Sequence, residues 1–125
     1  MELKNYVMAG YPAIILTTPE EDRALNECKS IAKDLNMDFY QWSITKGVTS
    51  ERSTSINKLT DPVLVLEEGI KGNNGRGKIY CLLDFHPFVK STNVWRKAKD
   101  VFKEAKTKGV TYIFISVKFE VPPEL

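Results

Sequence analysis

Short apolar runs alternate along this chain with longer stretches of helical periodicity, and this alternation constrains the fold more than any other feature. Residues 13–16 and 79–83 are apolar without interruption and residues 110–116 nearly so, which is typical of strands covered on both faces. Residues 18–36 and 93–108 place apolar side chains at intervals of three and four, which predicts amphipathic helices. Strands joined through helices pair in parallel by right-handed crossovers. The pattern therefore predicts an α/β fold, a three-layer sandwich around a mostly parallel sheet.

The other segments give weaker signals. Residues 2–8 fit a short helix, and residues 38–44, which hold three aromatic side chains, fit a further strand. Residues 48–58 are rich in Ser and Thr without periodicity, which predicts a loop or a short irregular strand. An Asp-Pro pair before residues 63–70 is typical of a helix start, although the first four of these residues fit a strand equally well. Four strands are therefore predicted.

The start of the first long helix carries a concentration of acid. Thr18 is predicted to cap this helix, with Pro19 at its first position. Glu20, Glu21 and Asp22 follow, where the helix dipole favours negative side chains. In a P-loop enzyme the same strand–helix junction supplies Gly, Lys and Ser or Thr to the phosphates. Carboxylates at this place would repel a triphosphate, so the sequence indicates a nucleotide-hydrolase scaffold without its phosphate chemistry.

The candidate site that stands out follows the apolar run 79–83, because ligands collect at the carboxyl ends of strands in open α/β sheets. In a functional interpretation Asp84 holds a metal or polarises a water and His86 carries protons. The chain would then be a small magnesium-dependent nucleotide-binding protein or phosphohydrolase. In the structural interpretation Asp84 caps the loop, His86 is hydrogen-bonded at the sheet edge, and Phe85 and Phe88 close the core. The lack of a second acid directly after Asp84 favours the structural interpretation.

Residues 72–78 match the letters of a Walker A phosphate loop, with Gly72, Gly77 and Lys78 at the required spacing. A phosphate loop must leave a strand and enter a helix, so that free amides and the helix dipole converge on the anion. Here the loop leads into a predicted strand, and Ile79 stands where the magnesium-binding Ser or Thr belongs. We therefore predict a surface turn.

Size and composition indicate an ordinary globule. A chain of 125 residues that is 42% hydrophobic and 27% charged fits a single domain, residues 1–125, with one core. Cys28 and Cys81 lie in apolar surroundings and are predicted to be buried thiols rather than a disulfide or metal ligands. No apolar run is long enough to cross a bilayer and the first residues lack a secretory layout. We expect a cytoplasmic protein with no membrane partner.

Basic residues concentrate in the last predicted helix, although the net charge of the chain is only +2. A solvated helix face accounts for this pattern, and a contact with nucleic acid is the alternative, not favoured. The basic residues between positions 90 and 108 are Lys90, Arg96, Lys97, Lys99, Lys103, Lys106 and Lys108.

Four segments, taken in order, resemble one protein family. They are residues 11–23 (YPAIILTTPEEDR), Trp42 with Gly47, residues 83–88 (LDFHPF) and residues 119–125 (FEVPPEL). Together they resemble the N-terminal region of AAA-family ATPases of the type encoded by a conserved chloroplast and cyanobacterial reading frame. In that family a degenerate ATPase-like domain precedes the functional AAA module. The similarity spans almost the whole chain.

The resemblance implies a degenerate RecA-like, P-loop NTPase-like domain that lacks its own Walker A loop and is not itself an enzyme. It implies a role in interaction or assembly with an AAA ATPase module or in a homo-oligomer, either as the N-terminal domain of a longer ATPase or as a stand-alone relative. No cofactor is expected in this chain, while ATP and magnesium would belong to the parent ATPase module. No catalytic residue or metal ligand is expected. The expected binding face is the carboxyl end of the sheet, with Glu20, Glu21, Arg23, Asp84 and His86.

Overall fold

A computed structural model describes residues 2–50, 55–57, 59–71, 77–85, 87 and 91–117. Helices and strands alternate along these residues as the sequence predicts, except for three consecutive strands in the middle of the chain. The elements are, in chain order, α1 (Leu3–Met8), β1 (Ala13–Thr17), α2 (Glu21–Asp34), β2 (Asp38–Ser43), β3 (Gly47–Ser50), β4 (Ser55–Asn57), α3 (Pro62–Gly69), β5 (Lys78–Leu83), α4 (Thr92–Lys108) and β6 (Val110–Ser116).

The strands of the described residues form one sheet in the order β1-β6-β5-β2-β3-β4. The neighbours among β1, β6, β5 and β2 pair in parallel, and these are the four strands that the sequence predicts. The mostly parallel α/β architecture is therefore confirmed. Chain order and sheet order differ because α2 carries the chain from β1 past two strands to β2, and β6 then occupies the space beside β1.

Two antiparallel strands, β3 and β4, extend the sheet beyond β2. The prediction of a loop or a short irregular strand over residues 48–58 is wrong in this respect, because two strands occupy most of the described part of this segment. A break in register beside Val48 and Thr49 disrupts the side-chain alternation from which strands are recognised. Both residues are nevertheless buried, as β-branched side chains prefer on a pleated surface.

Helices cover both faces of the sheet, which confirms the three-layer sandwich. Alternate residues of each central strand point to opposite faces. On β5, Ile79 packs with the buried side chains of α1 and α2, whereas Tyr80 packs with those of α3 and α4. Tyr112 and Ile113 divide in the same way on β6. Among the helices of the described ranges, none has both the length and the apolar content that a membrane crossing requires.

Capping interactions determine where α3 begins and where α4 ends. The side chain of Asp61 accepts hydrogen bonds from the amides of Val63 (2.8 Å) and Leu64 (3.3 Å), and Pro62 occupies the first helical position. The ambiguous segment after Asp61 is therefore helical. Gly109 adopts a left-handed conformation, with φ of 72°, at the end of α4.

Cys28 of α2 and Cys81 of β5 are fully buried free thiols, so the prediction of buried thiols is confirmed. Burial raises the pKa of Cys81, and a hydrogen bond to the Cys28 side chain raises it further. The Cys81 thiol therefore stays protonated, and both cysteines act as small apolar side chains where α2 packs on the sheet.

Candidate functional site

The carboxyl ends of β1, β6 and β5 lie side by side at one edge of the sheet. The amide of Thr18 donates a hydrogen bond to the carbonyl of Ser116 (2.9 Å), and the amide of Asp84 donates one to the carbonyl of Ile115 (3.0 Å). These bonds hold the junction before α2 on one side of β6 and the turn after β5 on its other side. The structure thus brings the two predicted site segments to the same edge.

The junction before α2 differs from its predicted form. Thr18 is not the N-cap and Pro19 is not the first helical residue, because α2 begins at Glu21 with Glu20 in the capping position. The backbone of Thr18 still pairs with β6, and its hydroxyl accepts a hydrogen bond from the amide of Glu20 (3.1 Å). A threonine that stabilises the turn in this way competes with a helix start at its own position. The predicted capping box from Thr18 to Glu21 is therefore wrong.

The acids of this edge act on one another. The pKa of Glu21 is raised, first because its carboxyl is partly buried and then because the charges of Asp84 and Asp22 lie near it. A neighbouring negative charge disfavours ionisation of a carboxyl group. Glu21 and Asp84, which are 63 positions apart in the sequence, thus belong to a single electrostatic cluster.

One basic side chain accompanies these acids. Arg23 forms an ion pair with Glu20 at 3.2 Å, with 83% and 61% of the two side chains exposed, so solvent screens the interaction strongly. We call Glu20, Glu21, Asp22, Arg23 and Asp84 the acidic edge. It carries four carboxylates against one guanidinium. Among the described residues no group of three or more His, Cys, Asp or Glu side chains is arranged to hold a metal ion.

Asp84 occupies a tight turn directly after β5. Its φ of 51° is left-handed, a conformation that aspartate tolerates better than most residues with a β-carbon. The turn leaves Asp84 exposed and directs Phe85 into the core, where its ring lies 5.6 Å from that of Trp42 and 5.5 Å from that of Phe114. The structural interpretation is therefore confirmed for Phe85. His86 and Phe88 lie outside the described residues.

The segment with Walker A letters ends at the amino ends of the parallel strands, opposite the acidic edge. Lys78 is the first residue of β5, and its ammonium donates to the carbonyl of Lys71 (2.9 Å) and lies 5.9 Å from the ring centroid of Tyr40. Gly72 lies outside the described residues. Lys78 thus stands at the amino end of the strand whose carboxyl end leads to Asp84.

Acids neutralise part of the basic surface of α4. Lys97 pairs with Glu67 of α3 at 2.7 Å, and Arg96 pairs with Asp100 at 3.2 Å. Lys108 lies 3.7 Å from Glu104 and donates to a carbonyl of the turn after α3. The face consequently carries less free positive charge than the sequence suggests. Lys90, also counted in the predicted basic face, lies outside the described residues.

Comparison with known proteins identifies the family. The model of the SpoVK-like AAA ATPase N-terminal domain matches residues 1–125. The chain belongs to this family. It is also similar to proteins named "Uncharacterized AAA domain-containing protein ycf46" from Trieres chinensis, at 30% identity over 99% of this chain, and from Pyropia yezoensis, at 30% identity over 97%. The chain covers 25% of the length of each relative. No solved structure matches it.

The family match confirms the resemblance to the N-terminal region of AAA ATPases. In this SpoVK-like domain the structure also adds Asp22 to the predicted site, since its charge raises the pKa of Glu21. The sequence already indicated that Asp22 could belong to this site, because Asp22 directly follows Glu21 at the start of a predicted helix.

Replacing Asp84 by asparagine in the SpoVK-like domain should lower the pKa of Glu21 towards its ordinary value. The decrease should be partial, because partial burial is the larger cause of the shift and remains in the variant. A titration of the Glu21 carboxyl followed by NMR measures the change. Asp34→Asn, which removes a charge at the other end of α2, should leave the titration unchanged. Equal effects of the two variants would contradict the cluster.

The raised pKa of Glu21 also determines how the free energy of unfolding changes with pH. The folded chain binds the Glu21 proton more tightly than the unfolded chain does. The contribution of Glu21 to stability is therefore lost as the pH rises from the ordinary glutamate value, about 4.3, through the raised folded value. Asp84→Asn should flatten this part of the stability profile, and the effect should be small because most of the Glu21 side chain is exposed and only a part of it is buried.

Proposed function

We propose that this chain is a non-catalytic interaction or assembly domain that serves an AAA ATPase. The observation that carries the proposal is the acidic edge, since carboxylates occupy the strand–helix junction at which a nucleotide hydrolase would bind phosphates. Membership of the SpoVK-like N-terminal family and similarity to AAA domain-containing relatives support the association with an ATPase. The chemistry would belong to the AAA module of a longer protein, together with ATP and magnesium.

We further propose that the fold is a degenerate, RecA-like form of the P-loop NTPase fold. A parallel sheet between two helical layers supports this interpretation, as does a core strand, β5, that ends at an acid. The position of Lys78 supports the loss of phosphate binding, because this lysine lies at the sheet edge opposite Asp84.

The proposed contact face is the acidic edge together with His86, and the proposed partner is an AAA module or a further copy of the chain, in the cytoplasm. Four exposed carboxylates would suit a partner surface that presents Lys and Arg. Such a contact would weaken as ionic strength rises, because salt screens the attraction between solvent-exposed charges.

The isolated chain is expected neither to bind nor to hydrolyse magnesium-ATP. Calorimetry at millimolar nucleotide tests binding, and phosphate release tests turnover. Asp84→Asn is the informative variant, because the phosphohydrolase alternative assigns Asp84 to the metal. Magnesium-dependent turnover that disappears in Asp84→Asn would overturn the proposal.

The interaction itself is tested with the AAA module of a ycf46-type relative as the binding partner. Glu21→Lys should weaken binding by about tenfold through lost charge complementarity. Glu27→Lys, the same change at another exposed position of α2, should have a smaller effect. Binding that is unaffected by Glu21→Lys would place the contact elsewhere on the domain.

The nucleic-acid alternative requires an affinity for nucleic acid that falls steeply with salt, and Lys103→Glu on α4 should then reduce that affinity.

A further inference from the structure

One edge of β1 is open among the described residues. The carbonyl of Pro12 and the amide of Thr18 bond to β6, so the even-numbered residues of this segment direct their peptide groups towards β6. Ala13, Ile15 and Thr17 direct theirs to the opposite side, where no described strand pairs with them. β1 therefore presents three donors and three acceptors that no strand of the described residues pairs.

The open edge lacks the charges that usually protect such strands. Residues 5–19 contain no Asp, Glu, Lys or Arg, although 27% of the whole chain is charged. Native proteins normally block edge strands with charged side chains, proline or bulges. Pro12 and Pro19 flank β1, and the strand itself holds only apolar residues and one threonine. An edge of this composition is suited to pairing with another strand.

Apolar side chains surround the same edge. Tyr11 is 51% exposed and Ile15 is 42% exposed. With Tyr6, Ala13 and Ile14 they line an open cavity of about 390 Å³, and the rings of Tyr6 and Tyr11 lie 5.4 Å apart. The free peptide groups and an apolar groove therefore occur together.

We propose that the edge of β1 pairs with β1 of a second copy of this chain, antiparallel, about a two-fold axis at Ile15. In that register Ile15 faces its own counterpart, and Ala13 of each copy faces Thr17 of the other. All three outward-facing residues then form hydrogen-bonded pairs, each of which exchanges two bonds. An isologous contact juxtaposes identical residues, and here none of them is charged.

The second copy also supplies apolar side chains that cover the groove. Each chain brings an exposed Ile15 and Tyr11 to the groove of the other, so one pairing buries the apolar side chains of both. A partner strand with charged side chains would lose their hydration against this groove without gaining an ion pair. The surface shares no residue with the acidic edge, so the inference goes beyond the proposed function and can fail independently of it.

The test measures the mass of the chain by light scattering or sedimentation velocity from about 5 to 500 µM, a range over which mass action reveals weak dimers. The mass should rise with concentration from 14.2 kDa towards twice that value. Ile15→Lys should raise the dissociation constant about tenfold or more by placing two ammonium groups at the axis. Leu64→Lys is the matched control, because Leu64 is 47% exposed on α3, and it should leave dimerisation unchanged. Equal effects of the two variants overturn the proposal.

Hydrogen exchange on the unaltered chain keeps the inference testable if Ile15→Lys does not fold. The amides of Ala13, Ile15 and Thr17 should gain protection as the concentration rises, while the amide of Thr18, bonded within the chain, should not change. A mass of 14.2 kDa at every concentration overturns the proposal. If the three amides are then protected throughout, a segment of the chain itself covers the edge.

Discussion

Replacing Trp42 by alanine is expected to lower the free energy of unfolding by about 3–5 kcal/mol. Trp42 on β2 is fully buried, and its ring lies 5.6 Å from that of Phe85 in an edge-to-face arrangement. Its indole nitrogen donates a hydrogen bond to the carbonyl of Leu59 at 2.8 Å. The substitution therefore leaves a large cavity and removes the hydrogen bond that ties the segment before α3 to the sheet. Urea unfolding measures the loss.

Trp42→Phe separates the two contributions. Phenylalanine retains an aromatic ring against Phe85 but has no donor for Leu59, so its cost should be clearly smaller than that of alanine and include about 1 kcal/mol for the hydrogen bond. A loss below about 1 kcal/mol for Trp42→Ala would mean that the site collapses without leaving a cavity. Since Phe85 directly follows Asp84, the NMR signal of Asp84 should shift in the alanine variant and report on the turn at the acidic edge.

The sequence was sufficient for the parallel core, because these strands are marked by continuous apolar runs. β5 and β6 lie between helical layers, so almost every residue is buried and few polar residues interrupt the run. β3 and β4 could not be recognised in this way. Their pairing depends on contacts with β2 and includes a break in register, neither of which is visible in local periodicity.

The candidate site was predictable in position but not in detail. Glu21 and Asp84 follow the carboxyl ends of β1 and β5. Because these strands run parallel, the sequence was enough to predict that both residues lie at the same end of the sheet. The role of Thr18 was missed, since its preference for a turn depends on a backbone bond to Ser116, which is distant in sequence. The edge of β1 that no described strand pairs was missed as well, because local sequence does not show which strands lie side by side in the sheet.

Gly69→Ala should destabilise the domain by about 1–3 kcal/mol, the usual cost of overpacking a core. Gly69 is the last residue of α3, where alanine would ordinarily gain up to about 1 kcal/mol in helix propensity. A β-carbon at this position would overlap the hydroxyl of Tyr112 and lie 2.7 Å and 2.9 Å from two ring carbons. Tyr112 is itself fully buried and cannot move into solvent. The steric cost therefore exceeds the gain in propensity, and urea unfolding should show a net loss.

A double-mutant cycle with Tyr112→Phe tests this cause. The Tyr112 hydroxyl donates a hydrogen bond to the carbonyl of Leu66 at 2.5 Å, so Tyr112→Phe alone should cost about 1 kcal/mol. In the double variant the atom nearest to the new β-carbon is absent. The combined cost should therefore be lower than the sum of the single costs by about 1 kcal/mol, as expected for residues in direct contact. Strictly additive costs would show that α3 shifts away from β6 to accommodate alanine, and would assign the destabilisation to the loss of helix–sheet packing.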